Sequence, residues 1–403
     1  MRARLVKDGQ ADCFVTGISS ENKYSKKYSF YSVPLVNPVR SCFAVNSGNR
    51  SLLSILTKRS RQCLLICLPA RLRCIRAPAI KTKGMKYYGR LSVIALLAIA
   101  PLYGFAQEKV VPIKYGDMDQ WIIRKVHESG VIGGNTKLLY EIGPTKEIDG
   151  NKPYKNMGGS PWGTSNVMAK VVGIVKTNNS VYRDKRDNGY CARLETHIES
   201  VKVLGMVNIT VLAAGSIYLG DMLEPITGTK NAEKNMNWGV PFTQRPKAVR
   251  YDYKVKMSGE KDRIRLTGFS KKGQVAGQDC AITVFFLQKR MEDAEGNITA
   301  KRVGTMVMKY DKDSDGWVNG ATYEVLYGDI TKHPSYNHET MGLRERDYTR
   351  NSKGESVLIK EIGWAEANEN PTHMILQFSS SHGGAFIGSP GNTLWVDNVK
   401  LVY

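Results

Sequence analysis

The chain has 403 residues, 58 Lys+Arg against 37 Asp+Glu, and a formal net charge of +21. So basic a balance invites a nucleic-acid partner, but its distribution excludes one. Residues 1–84 carry 16 Lys+Arg and 3 Asp+Glu, whereas 107–403 carry 40 and 34, a net of only +6.

The segment 1–84 also holds five of the seven cysteines (Cys13, Cys42, Cys63, Cys67, Cys74) and shows no sustained strand or helix period. Cys63 and Cys67 have no His or second Cys pair at zinc spacing. We read 1–84 as an upstream extension that is not native to the protein and is disordered; a basic arm is the alternative. At Met85 the pattern changes. Lys86 and Arg90 precede the apolar run Leu91–Ala100, and Gly104-Phe105-Ala106 precedes Gln107. A short positive region, a short apolar run and a small-x-small site make a secretory signal peptide over 85–106. The run is too short to span a bilayer comfortably, so no transmembrane span is expected in the mature chain. No Cys follows the cleavage site, so the lipid-anchor signature is missing, and a secreted or periplasmic location is expected. Cys191 and Cys280 remain in 107–403. An oxidising compartment would let them pair if the fold brings them together, which spacing does not decide.

Strand-length apolar runs recur through 107–403. They are Trp121–His127, Lys137–Ile142, Val167–Val175, Tyr190–Glu195, Asn208–Tyr218, Ala248–Met257, Cys280–Gln288, Arg302–Met308, Ala321–Tyr327, Val357–Gly363, His373–Phe378 and Leu394–Val402. Turn pairs such as Asn188-Gly189, Asp315-Gly316 and Asn319-Gly320 separate them. The pattern predicts one all-β domain, a jelly-roll-like two-sheet β-sandwich. In the last run the apolar beat goes Leu394, Val396, then Val399, Leu401, Tyr403, so a β-bulge is expected at Asp397-Asn398. Lys254 and Lys256 alternate with Tyr253, Val255 and Met257, which suits a solvated sheet face.

Sugar recognition needs flat aromatic faces and planar polar groups. Trp162 and Trp238 sit in Gly/Pro-rich stretches near Asn166, Asn235 and Asn237, and loops on a rigid sandwich are where ligand contacts concentrate. The longest stretch without an evident strand, 331–352, brings Tyr336, Asn337, His338, Arg346 and Tyr348. The carbohydrate-binding candidates are therefore Trp162, Asn166, Trp238, Tyr336, His338 and Tyr348, with core-capping rings and a solvated loop as the structural alternatives. Asp311, Asp313 and Asp315 before Gly316 resemble the start of a calcium loop, yet the twelfth position is Thr322, which supplies no bidentate carboxylate. A hairpin turn between Met308 and Ala321 is the plainer reading, with Ca²⁺ left open. No G-x-S-x-G elbow or H-E-x-x-H occurs, and no catalytic residue is assigned. Arg193 and Glu195 suit a sheet-face ion pair.

Several blocks, taken in order, resemble the PCMD family of Bacteroidetes exported proteins. They are Gly159–Asn166, Tyr190–Thr196, Leu212–Gly220, Trp238–Pro246, Asp279–Ile282, Ser379–Ser381 and Leu394–Tyr403. The resemblance implies a jelly-roll sandwich similar to carbohydrate-binding modules, encoded among glycan-utilisation genes. It also implies an oligo- or polysaccharide ligand and surface glycan-utilisation proteins as partners. Many relatives are lipoproteins, so the missing lipobox Cys is a departure. The expected function is non-catalytic glycan capture. A glycoside hydrolase with an unrecognised carboxylate pair and a cell-surface adhesion module are the alternatives.

Overall fold

The computed structural model describes residues 108–154, 159–203, 207–230, 232–269 and 271–403, plus the backbone of four short strands nearer the start. The expected signal peptide at 85–106 lies outside the described residues. Two units divide the chain, Met1–Tyr103 and Gly104–Tyr403. In the first, Phe30–Ser32, Arg40–Val45, Ser51–Leu56 and Leu64–Cys67 pair in sequence order as an antiparallel meander. Short continuous apolar runs such as Leu64-Leu65-Ile66 form strands without the alternation that the sequence reading sought.

The second unit is built on two sheets. The smaller runs in the order Val181–Arg186, Gly189–Glu195, Thr393–Val402, Ala248–Lys256 and Val318–Glu324, and Val110–Pro112 pairs with the end of Thr393–Val402. The larger runs Met236–Trp238, Ser216–Met222, His373–Ser379, Ala281–Glu292, Ile298–Tyr310, Ser356–Trp364 and Tyr348–Arg350. The core lies between them. Leu194, Val249, Tyr251, Leu394, Val396 and Leu401 from one sheet meet Ile217, Leu219, Phe285, Leu287, Leu376 and Phe378 from the other. Removing one such large side chain from water stabilises the fold by roughly 1.5–3 kcal/mol. Their period of two along each strand, facing inward, is what makes this an all-β sandwich.

The expected bulge is present. Arg250 pairs with Lys400 and Asp252 with Asp397, so one extra residue is absorbed between them. Asn398 takes a φ of 54°, a left-handed conformation that Asn tolerates better than most residues. Its side-chain amide donates to Asp252 Oδ2 at 2.9 Å. The phase shift keeps both Val396 and Val399 in the core.

Three expectations are corrected. Val167–Val175 is not one strand but the start of a hairpin, Val167–Val171 and Ile174–Asn178, turning at Val172 and Gly173. Asn208–Tyr218 is two strands, Val207–Ala213 and Ser216–Met222. They part at Gly215, where an added Cβ would lie 2.3 Å from the Ser180 carbonyl oxygen, so the chain crosses close against its neighbour. The Asp-rich stretch 311–317 is not a hairpin turn. It carries the chain from Ile298–Tyr310 in the larger sheet to Val318–Glu324 in the smaller one.

The outer face of the larger sheet is apolar too. Tyr218, Ile282, Val284, Phe286, Val307 and Ile375 form a second cluster with Ile330 and Met341 of the overlying segment. Beneath that cover lies a fully buried ion pair, Arg302 with Glu361, and the Arg302 guanidinium rests 3.4 Å from the centre of the Phe286 ring. The outer face of the smaller sheet is different. Pairing places Tyr182 beside Arg193, Arg193 beside Trp395, and Trp395 beside Lys254. Trp317, just before Val318–Glu324, continues the row, since Tyr253 pairs with Val318. Aromatics and cations thus alternate across four strands and on to Trp317. Arg193 stands 4.1 Å from the Tyr182 ring centre, and Lys254 stands 4.0 Å from that of Trp395 and 5.8 Å from that of Trp317.

Candidate functional site: a groove on the larger sheet

A cavity of about 360 Å³ lies on the outer face of the larger sheet. Two cross-strand rows form its floor: Ser216, Ser379 and Ile282, then Gln377 and Val284. These positions alternate with Ile217, Phe378 and Phe285, which point into the sandwich core, so strand geometry fixes which side chains reach the groove. One wall is the Val167–Val171 and Ile174–Asn178 hairpin, and another is the hairpin of His197–Val203 with Val207–Ala213. Met222, Ile226, Thr229 and Met236, with His382 and Phe386, complete the rim. Val167, Ala169, Ile174, Val201, Ile209 and Val211 make the walls aliphatic.

One seam of the groove is polar. Ser216 Oγ donates to Ser379 Oγ at 2.8 Å, Ser165 Oγ accepts from the Ser216 backbone at 2.9 Å, and Asn178 Nδ2 donates to the Ser165 carbonyl at 3.0 Å. Asn178 Oδ1 is buried without a hydrogen-bond partner. Gln377 is half-buried on the floor, and no described residue bonds its amide. At one end Lys176 bridges Glu199 at 2.7 Å and Glu128 at 3.1 Å. Burial works against the Glu199 charge, but hydrogen bonds from His197 and Lys176 outweigh it and hold that carboxyl below its ordinary range.

Buried ionic groups brace the rim. Arg124 forks onto Glu224 at 3.0 and 2.5 Å and reaches Glu141 at 2.8 Å. Glu224 Oε1 also accepts from the Met168 backbone, so this network ties the segment after Ser216–Met222 to the first hairpin. Burial opposes the Arg124 charge, and the two carboxylates together outweigh it and raise its pKa. Glu141 has only part of that guanidinium, so burial pushes its carboxyl up to about 7. On the other rim Asp279, 1% exposed, accepts from the Cys280 and Ser389 backbone, Ser381 Oγ and Asn392 Nδ2. His382 Nδ1 lies 2.9 Å from Asp279 Oδ1, while its Nε2 faces Arg263 at 3.3 Å. An Asp-His pair usually suggests nucleophilic catalysis, but here a guanidinium occupies the place of a serine. The pair anchors the 381–392 segment.

Among the six predicted sugar contacts, only Trp238 lines the groove. It is 5% exposed and packs on Tyr218 with ring centres 4.5 Å apart. Trp162 is instead a core residue whose Nε1 donates to the Lys114 carbonyl at 2.9 Å. Asn166 is buried as a strand connector; its amide donates to the Tyr140 and Val181 carbonyls and accepts from the Ser180 and Val181 backbone. Gly/Pro-rich flanks made both look like loop residues. Tyr336 and His338 meet each other at 3.2 Å over the second apolar cluster, and Tyr348 lies on the larger sheet's edge beside Lys234. Neither place belongs to the groove. The 331–352 stretch contains a short helix, His338–Met341, capped by Asn337, and the strand Tyr348–Arg350.

Among the described residues no three His, Cys, Asp or Glu side chains gather as a metal site. Asp311, Asp313 and Asp315 do not converge, and Asp313 accepts from the Met257 backbone at 2.6 Å. Cys191 and Cys280 are both free and buried, and burial pushes each thiol up to about 12. Arg193 and Glu195 do pair on the smaller sheet's outer face. Gln377, Asn178 and the Ser216–Ser379 pair were missed. The one available signal was a lone Gln amid Met374-Ile375-Leu376-Gln377-Phe378.

The second unit is thus an all-β sandwich with a roofed groove on one face. A family model described as "Putative carbohydrate metabolism domain" matches residues 145–402, and the chain belongs to that family, PCMD. No curated protein matches the chain. Among the described residues no helix is long and apolar enough to cross a membrane.

Proposed function

We propose that the protein is an exported, non-catalytic glycan-binding component of carbohydrate utilisation, and that the groove is where it binds. The free Gln377 amide carries this reading. It lines the same groove as Asn178, whose Oδ1 is unpartnered, the Ser216–Ser379 hydroxyl pair and Trp238. Hydroxyl-rich ligands are recognised by such planar amides, which donate and accept at once. The cavity falls at the low end of small-ligand sites and is too small for a wrapped polymer. Hydrolysis has less support. A glycosidase needs an acid carboxyl with a raised pKa facing the substrate. The raised carboxyls, Glu141 and Asp397, lie outside the groove. The signal-like segment at 85–106 supports export.

A glycan array on the purified chain, run with and without calcium, tests the reading. Retention of one glycan class is expected, with at least tenfold weaker binding by Gln377→Ala and an unchanged melting temperature. A folded protein that retains no glycan ends the proposal.

A further inference from the structure

The groove walls are aliphatic, and a second feature stands at their mouth. Thr267-Gly268 pairs with Thr210 and Val211 of the second wall, and the Leu266 backbone donates to the carbonyl of Phe386, a rim residue. Gly268, at φ +112°, packs so tightly that an added Cβ would lie 3.0 Å from Thr229, which also lines the groove. The chain then leaves the sheet, and Phe269 projects from the rim, 75% exposed. In the same stretch of chain, Lys261, Arg265, Lys271 and Lys272 are exposed and make no ion pair with any described residue. The tip of the opposite hairpin wall is apolar as well, since Val172 is 79% exposed. A single exposed ring is ordinary on a protein surface, and its cationic neighbours are what set this one apart. Flanked by unpaired cations, it has the chemistry of a contact with an anionic lipid surface.

We propose that the ligand is an acylated saccharide, taken from an anionic lipid surface that Phe269 touches. The acyl chain lies along Val167, Ala169, Val201 and Val211, and the saccharide reaches Gln377 and Asn178. Lys271 and Lys272 meet the anionic groups of the surface. The inference rests on the groove being the glycan site.

Calorimetry on the full chain with dodecyl maltoside below its micelle threshold, maltose and dodecanoate tests the acyl chain. Dodecyl maltoside is expected to bind at least tenfold tighter than maltose, and Ala169→Trp to abolish that gain. Equal affinity for the two sugars overturns the acyl inference and leaves the glycan reading standing. Dodecanoate binding as well as dodecyl maltoside, with no glycan retained on the array, overturns both. These wild-type comparisons decide even if Ala169→Trp does not fold. Co-sedimentation with phosphatidylcholine vesicles, with and without phosphatidylglycerol, tests the turn. Binding only to the anionic vesicles is expected, falling roughly 25-fold in the Lys271→Gln/Lys272→Gln variant and further with Phe269→Ala. Equal binding to both vesicle types, or none to either, overturns the surface contact.

Discussion

The two outward faces of the sandwich obey the same alternation and end differently. On the larger sheet the outer beat is Ile282, Val284, Phe286 and Ile375, which water does not tolerate, so hairpins and the 330–347 segment cover it and leave a groove. On the smaller sheet the outer beat is Tyr182, Arg193, Trp395 and Lys254, and no roof is needed. Each ring there already has a cation on one face, so the row stabilises its own sheet and offers little free ring surface to a sugar. A ligand site arises where the sheet is covered but incompletely filled.

Substitutions on the two faces should separate these roles. Phe286→Ala, under the roof, is expected to cost roughly 3–5 kcal/mol, because Arg302 and Arg344 both lean on that ring. Denaturant unfolding checks it, and a loss below about 1 kcal/mol would mean the roof is not packed. The groove's bracing sharpens the contrast through pH. Glu141 titrates near 7 in the fold against about 4.5 when unfolded, so the folded chain keeps a proton that the unfolded chain releases. Its stabilising share is full below about pH 4.5 and is lost as pH rises to 7. Melting curves should therefore show a decline over that interval, of roughly 1–3 kcal/mol, and Glu141→Gln should flatten it. A wild type whose stability is level across the interval would contradict the assignment. Trp395→Ala, on the open face, should cost only about 1–2 kcal/mol and leave glycan affinity untouched. Weakened glycan binding in that variant would move the site to the other face.

Much of the framework was legible in the residues. Trp121–His127 matches the observed strand end to end, and the Asp397-Asn398 bulge follows directly from the beat of apolar residues. Breaks marked by a lone Gly beside a β-branched or small residue were not legible. Val172 adopts a positive φ although β-branched residues resist it, and Ala214-Gly215 interrupts an otherwise continuous run. The site was harder still. Both sheets alternate, and sequence alone does not say which outer face another segment will cover, so aliphatic wall residues look like ordinary core. Trp162 and Asn166 misled for the converse reason: Gly and Pro beside them mark tight packing rather than exposure.

Thr393–Val402 lies in the middle of the smaller sheet, flanked by Gly189–Glu195 and Val110–Pro112 on one edge and Ala248–Lys256 on the other. During synthesis those flanking strands therefore wait with open hydrogen-bonding edges for a partner made much later. Such long-range closure slows folding and invites intermolecular pairing in the interval. Pulsed hydrogen exchange should find their amides protected last, and early protection would refute that order.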